Sequence, residues 1–413
     1  MNPLFSIEKV FLLADIGNGK NNSYHVGDEA MFLQNLRKYQ SLGIKVSASS
    51  RSINHKDLGF NEVLDIYIMN IPALLWFVLC SYIFRYFRLN LFPKRFRKTV
   101  EELVSSNMLH VSGGGNLNSF WPGHIYYRFL MITLADIFNK EIILTSQTIG
   151  LLKSTFHKFL LGLCLKKVNV IEVRDQAYSR RVLLNLGISD TKILNVIDDA
   201  YEYNFGPTLS RNIKKIIFDR FPDVKNKLRI GISMHRWPSI TDFGTIKKIF
   251  EKLIQNYPNA YFFIIPHHFD DKNGLDLDFM TRLFDKNMKH VGFFDYKALI
   301  AIANKTKSTP ADIIRVATAN MDVVISSRYH GLVFALSSSV PALAINYDRY
   351  YSLKNKGLLS NFFNDSKTYI VPVNEIERVL DKTEKIIKNR EKIVSELKFI
   401  NKKLAKKYED KFD

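Results

Sequence analysis

The chain has 413 residues, 46% of them hydrophobic and 24% charged, a globular composition long enough for two ordinary domains. Its 59 Lys and Arg against 40 Asp and Glu give a formal charge of +19, which favours polyanions, acidic substrates or an anionic membrane surface without choosing among them. Two cysteines, Cys80 and Cys164, make neither a disulfide framework nor a metal cluster, and with no secretory pattern at the amino terminus they lead us to expect a cytoplasmic protein.

Lys9 to Ala14 reads as the first strand, and a polar loop from Asp15 to Val26 leads into Gly27, Asp28 and Glu29. Acids in a first helical turn suit the positive end of the macrodipole, so a helix is expected through Ala30, Met31, Leu33, Leu36 and Arg37. Capping alone accounts for Asp28. Ile44 to Ser49 reads as a second strand.

Ile71 to Lys98 is the least ordinary stretch. Its apolar run from Ile71 to Phe84 falls short of the roughly 20 residues a membrane span needs. Arg85, Arg88, Lys94, Arg95, Arg97 and Lys98 come next with no acid among them, interleaved with Tyr86, Phe87, Leu89, Leu91, Phe92 and Phe96. That mixture fits a helix lying in the interface of an anionic membrane, and equally a core helix with a basic flank. Nucleic acid is not expected, because the aromatics sit in an apolar run rather than spaced among cations as stacking platforms.

Asn107 to Val111 is a strand that runs into Ser112, Gly113, Gly114, Gly115 and Asn116. Consecutive glycines let backbone amides approach a ligand, or simply make a tight turn, and the spacing is not that of a dinucleotide fingerprint. A helix from Gly123 to Asn139, a strand from Glu141 to Thr145 and a loop from Gln147 to Gly150 come next. A helix from Phe156 to Leu165, a strand from Val168 to Val173 ending in Arg174 and Asp175, and a helix from Gln176 to Leu186 continue the alternation, which predicts a parallel sheet. After Ile193 to Ile197, a cluster of Asp198, Asp199 and Glu202 with Gly206 and Pro207 behind it marks a domain boundary, giving domains over residues 1–205 and 206–413.

The second half restarts the pattern with a strand from Leu228 to Ser233, a helix from Asp242 to Asn256, a strand from Ala260 to Ile265 and a helix from Pro310 to Asn320. His235 and Arg236 stand just past the first of these strands; His267 and His268 stand just past the second. With Asp270 and Asp271 the histidine pair invites a metal reading, but adjacent histidines point apart on an extended chain, so no metal site is expected. Met321 to Ile325 is a buried strand, and Ser326 and Ser327 end it before Arg328, Tyr329, His330 and Gly331 open a helix. In an open parallel sheet the ligand crevice lies beyond the carboxyl ends of the strands, which is where a permanent cation and a titratable imidazole here share one turn. Arginine offers a planar fork of donors for phosphate or carboxylate, and histidine can move a proton near neutral pH. Val340 to Asn346 is a further strand, and the tail from Val373 to Asp413 reads as one long Lys-rich helical pattern.

SSRYHGLVFALSSSVPALAINYDRY resembles the C-terminal signature of the polysaccharide pyruvyl transferase family, whose members attach pyruvate from phosphoenolpyruvate to a sugar as a cyclic ketal. NSYHVGDEAMFLQNL, HVSGGGNLNSFW, ILTSQTIGLL, IEVRDQAYSRRVL and ISMHRW occur in the family's order, so the resemblance spans Tyr24 to Lys356. It implies two Rossmann-like α/β domains facing each other across a cleft, as in the GT-B glycosyltransferases. It implies that Arg328 and His330 are the family's active-site Arg-x-His and that Arg236 is its upstream arginine. The two arginines would hold the donor's carboxylate and phosphate, and His330 would deliver a proton as general acid. A glycan or lipid-linked acceptor is expected near Asn22, His25, Asp28 and the segment Gly113, Gly114, Gly115 and Asn116. No cofactor is expected beyond phosphoenolpyruvate as donor substrate, and the protein is expected to be cytoplasmic and peripheral on the cell membrane. The alternatives are a glycosyltransferase using a nucleotide sugar on the same domains, and a basic protein that binds membrane or nucleic acid without chemistry.

Overall fold

The computed structural model describes residues 7–16, 24–50, 58–66, 70–175, 178–203, 206–224, 226–235, 243–269, 274–284 and 290–409. Contacts divide the chain into two compact units, one of Met1–Lys20 and Met31–Asp199, the other of Asn21–Ala30 and Ala200–Asp413. The short segment Asn21–Ala30 thus belongs with the second unit although it stands near the start of the chain.

The chain begins with β1 (Lys9–Leu13), β2 (Tyr24–His25), α1 (Val26–Ser41), β3 (Lys45–Ser50) and β4 (Asn61–Leu64). It continues through α2 (Ile71–Phe87), α3 (Lys94–Ser105), β5 (Met108–Val111), β6 (Gly114–Leu117) and α4 (Pro122–Ile137). Next are β7 (Glu141–Ile149), α5 (Thr155–Leu165), β8 (Val170–Val173), α6 (Tyr178–Asn185) and β9 (Ile193–Asn195). The first unit's sheet is parallel, in the order β4-β3-β1-β5-β7-β8-β9, with β6 paired to β7. Strands covered on both faces must be apolar along their whole length, and Val10 to Leu13 are all fully buried.

Two segments of this sheet differ from the sequence reading. The glycine run does not stay a loop: Gly114–Leu117 is strand β6, alongside the far end of β7. β7 itself does not stop at Thr145. Ser146 takes a left-handed conformation, φ 49°, the ladder shifts register there, and the strand resumes over the residues expected to form a loop.

The second unit adds α7 (Pro207–Arg220), β10 (Arg229–Ser233), α8 (Phe243–Asn256), β11 (Tyr261–Ile264), β12 (His268–Phe269), α9 (Gly274–Leu283) and β13 (Val291–Phe293). After α10 (Tyr296–Thr306) and α11 (Pro310–Ala319) come β14 (Val323–Ser326), α12 (Tyr329–Ser337), β15 (Ala342–Asn346), α13 (Arg349–Leu359) and β16 (Ile370–Pro372). Its sheet is again parallel, in the order β13-β11-β10-β14-β15-β16. Pro310 does open a helix: Thr309 and Asp312 form a reciprocal capping box around it. The tail is two helices rather than one, α14 (Ile376–Lys388) and α15 (Arg390–Glu409), because the backbone leaves helical geometry at Asn389.

Candidate active site

Four parallel strands of the second unit, β10, β11, β14 and β15, end side by side, and the residues just past them form the site. β14 stops because Ser326 turns its hydroxyl back on the chain: Oγ accepts from Arg328 N at 3.0 Å and donates to Arg328 O at 2.8 Å. Arg328 then stands at the N-cap position of α12. Gly331 is required one turn on, since a Cβ there would overlap Ser326 Oγ and come within 3.3 Å of Ser233 Cβ.

Arg328 is held by an acid that the sequence reading did not single out. Its Nε donates to Asp276 Oδ2 at 2.9 Å and its Nη2 pairs with Asp276 Oδ1. Asp276, fully buried in α9, also accepts from the backbone amides of His267, at 3.1 Å, and His268, at 2.9 Å. Burial works against the Arg328 cation, but the Asp276 carboxylate outweighs it, and the guanidinium pKa is raised. Among the described residues Nη1 makes no hydrogen bond, so a fixed, permanently charged donor remains for an incoming anion.

Five of the chain's ten histidines gather here. His235, at the end of β10, is buried; its Nδ1 lies 2.8 Å from Ser327 Oγ, and the rings of Tyr347 and Tyr351 stand 5.1 and 4.9 Å away. Burial first, then the charges of Arg328, Lys354 and His268, hold it well below the usual imidazole range. His267 is buried beside Phe334, its ring nitrogens make no hydrogen bond among the described residues, and burial with His330 and Arg328 lowers its pKa likewise. Both are therefore neutral in the fold at pH 7.

Half-buried His330, in the first turn of α12, meets the segment that carries β2 and the start of α1. Gly27 lies so close beneath its ring that a Cβ there would overlap Nδ1, Cγ and Cε1. The same segment is fastened at four more points. His25 stacks on His268 at 3.9 Å and 14°, β2 pairs with β12, and Val26 N donates to His267 O at 2.9 Å. Glu29 Oε2 accepts from Ala311 N at 3.0 Å, capping α11. Asp28 stands between these anchors in the acidic first turn of α1, in the second unit. Arg236, Asn22, Asp270 and Asp271 lie outside the described residues.

Gly113, Gly114, Gly115 and Asn116 belong to the first unit. Gly113 is explained by packing: a Cβ would overlap Met31 Sδ and lie 2.9 Å from Ser146 Cβ. Gly115 O accepts from Asn118 Nδ2 at 2.7 Å. Asn116 Nδ2 donates to Asp15, whose Oδ2 also pairs with Arg128 at 2.8 Å and lies 3.4 Å from His124 Nδ1. This acid, amide and guanidinium cluster at the carboxyl edge of the first sheet was not read from sequence, because its members come from three separated segments. Arg174 and Asp175, expected at a strand end, serve structure: Arg174 is a buried partner of Asp198, and Asp175 accepts from Ser179 N and Oγ at 2.7 and 2.6 Å. No group of three or more His, Cys, Asp or Glu that could hold a metal ion occurs among the described residues.

Residues 25–349 match the family model described as polysaccharide pyruvyl transferase. No curated protein matches the sequence. Among solved structures, UDP-GlcNAc 2-epimerase from Neisseria meningitidis superposes with a TM-score of 0.55 at 12% identity, covering 94% of each chain. A glycosyltransferase from Rickettsia africae gives 0.55 at 13% identity over 98% of each chain. HepE from Anabaena, solved with UDP, gives 0.53 at 13% identity over 98% of this chain and all of that one. The α/β fold is thus that of the GT-B glycosyltransferases and epimerases.

Proposed function

The chain belongs to the polysaccharide pyruvyl transferase family, and from that premise we propose that it transfers pyruvate from phosphoenolpyruvate to two hydroxyls of a polysaccharide sugar or its lipid-linked precursor. The reading rests chiefly on Arg328 and His330 sharing one strand-to-helix turn inside the family match, with the guanidinium aimed by Asp276 and the imidazole seated on Gly27.

The chemistry sets what those groups must do. Arg328 binds an anionic group of the donor through the guanidinium edge that Asp276 leaves open, and Arg236 is proposed for the other. His330, as the imidazolium, donates its proton to C3 of the enol. The C2 cation that results takes the first sugar hydroxyl. Loss of phosphate from C2 regenerates a cation, and the second hydroxyl closes the ketal. Each hydroxyl gives up a proton, and the products are the cyclic ketal and inorganic phosphate. General acid assistance of this kind contributes about 10²- to 10⁴-fold. Neutral His235 and His267 keep further positive charge off the donor pocket, so that His330 becomes cationic when a bound dianion favours it.

The acceptor is proposed to approach the Asp28 segment. A nucleotide sugar donor is the second reading, favoured by the UDP and UDP-glucose named for the HepE structures. Incubating the protein with candidate glycans and either phosphoenolpyruvate or UDP-sugars separates the two: phosphate release with ketal formation supports pyruvyl transfer, whereas UDP release supports glycosyl transfer.

A further inference from the structure

The first unit carries a helix that is apolar on every side, and only one of its sides is covered. α2 buries Leu74, Phe77, Cys80 and Ser81, and it packs on α4, ten of whose sixteen residues are buried. On its outer side Leu75, Leu79, Tyr82 and Tyr86 recur at helical spacing with Trp76 beside them, Leu75 being 64% and Tyr86 73% exposed. Globular surfaces scatter single apolar residues, so a whole exposed stripe marks a surface that meets something apolar.

The residues just beyond the stripe add a charge to that surface. Arg88 ends α2 in a left-handed conformation, φ 57°, and exposed Leu89 and Leu91 lead into exposed Lys94, Arg95, Arg97 and Lys98. No acid occurs from Ile71 to Lys98. α5, which also packs on α4, presents Phe156, Phe159 and Leu163 at helical spacing in a second acid-free stretch that includes Lys153 and Lys158. From these observations we infer that α2, with the basic start of α3, docks the protein on a bilayer bearing anionic phospholipid.

Leu75, Trp76, Leu79 and Tyr86 enter the headgroup and upper acyl region, and the arginines and lysines face lipid phosphates. α2 lies in the plane of the interface: its 17 residues make a rod about 25 Å long, and no helix among the described residues is long and apolar enough to cross a membrane. A second copy of the chain is the poorer occupant. An isologous contact would bring the Arg88 to Lys98 cations against their own symmetry mates, with no acid in the stretch to neutralise them.

The test uses the full chain with phosphatidylcholine vesicles, with and without phosphatidylglycerol, and reads binding rather than turnover, so it stands apart from the proposed reaction. The chain should sediment with the anionic vesicles and leave them as salt is raised. Arg88→Gln with Arg95→Gln should weaken the partition about 30-fold, roughly fivefold per cation. Leu75→Ser with Leu79→Ser should release the protein while its thermal transition persists. In a Trp121→Phe, Trp237→Phe variant, Trp76 is the remaining tryptophan, and brominated lipid should quench it. That readout needs no change in α2, so it decides the matter if the serine variant fails to fold. Equal binding to neutral vesicles, unquenched Trp76, or a dimer that the serine substitutions split while vesicles remain unbound would each overturn the inference.

Discussion

Gly27 and His330 are in direct contact, with the imidazole resting on the glycine Cα where any side chain would collide with Nδ1. The contact joins the N-terminal motif around YHVGDEA to the Arg-Tyr-His turn within one unit. It gives the glycine a reason that has nothing to do with backbone freedom, since alanine is the better helix former at that place in α1.

Gly27→Ala should therefore leave the fold intact yet displace the His330 ring, and turnover should fall at least about tenfold toward the loss seen when a general acid is removed. Turnover at saturating phosphoenolpyruvate, measured beside a thermal melt, checks this. Unchanged turnover in a folded variant would mean that the ring's position is not what matters.

Arg328→Lys keeps the charge and loses the fork, and it also strips Asp276 of its bidentate partner. Phosphoenolpyruvate binding should weaken about 10- to 100-fold, equivalent to roughly 1.5–3 kcal/mol of charged hydrogen bonding. Calorimetric titration with the donor measures it directly, and wild-type affinity would remove Arg328 from the donor site.

Asp276→Asn isolates the positioning role. The amide cannot balance the Arg328 charge and offers one acceptor where the carboxylate offered two, so folding stability should drop by on the order of 3 kcal/mol. Donor affinity should fall with it, because Arg328 loses its orientation. A urea titration alongside donor binding separates the two effects, and full affinity would show that Arg328 needs no such brace.

The buried histidines make a prediction about pH. His267 stays neutral in the fold, whereas the unfolded chain takes up a proton near pH 6.5, so its effect on stability is nil well above that pH and unfavourable below it. Its ring makes no hydrogen bond among the described residues and lies against Phe334, so phenylalanine can replace it. Between pH 7 and pH 5, His267→Phe should lose about 2 kcal/mol less stability than the parent protein. Urea midpoints at the two pH values test this, and identical losses would show that the parent's His267 is protonated in the fold.

Much of the sheet architecture was legible because parallel strands buried on both faces leave continuous apolar runs such as Val323 to Ile325 and Tyr261 to Ile264. That Arg328 and His330 stand just past a buried parallel strand was legible because the apolar run ends at Ser326. What escaped depends on partners brought together only by folding. Asp276 reaches Arg328 across 52 residues from a helix with no distinguishing motif, and Glu29 reaches Ala311 across 282. The glycine run was ambiguous because Gly113 answers to Met31 and Ser146, neighbours in space alone. The break at Asn389 was hidden because α14 and α15 both bury an aliphatic stripe, Val379 and Ile386 in one and Ile393 and Leu397 in the other, so the pattern runs on through it.

The most direct measurement of the central claim is the reaction of phosphoenolpyruvate and acceptor glycan in D2O, for the parent protein and for His330→Gln, read as phosphate released and as the ketal methyl signal. The account requires phosphate and ketal in equal amounts, a single solvent deuteron in the new methyl group, and turnover lowered about 10²- to 10⁴-fold in the variant, because an amide can hydrogen-bond but cannot supply the proton. Near-normal turnover in a folded His330→Gln protein, or ketal formation without deuteron incorporation, would contradict it.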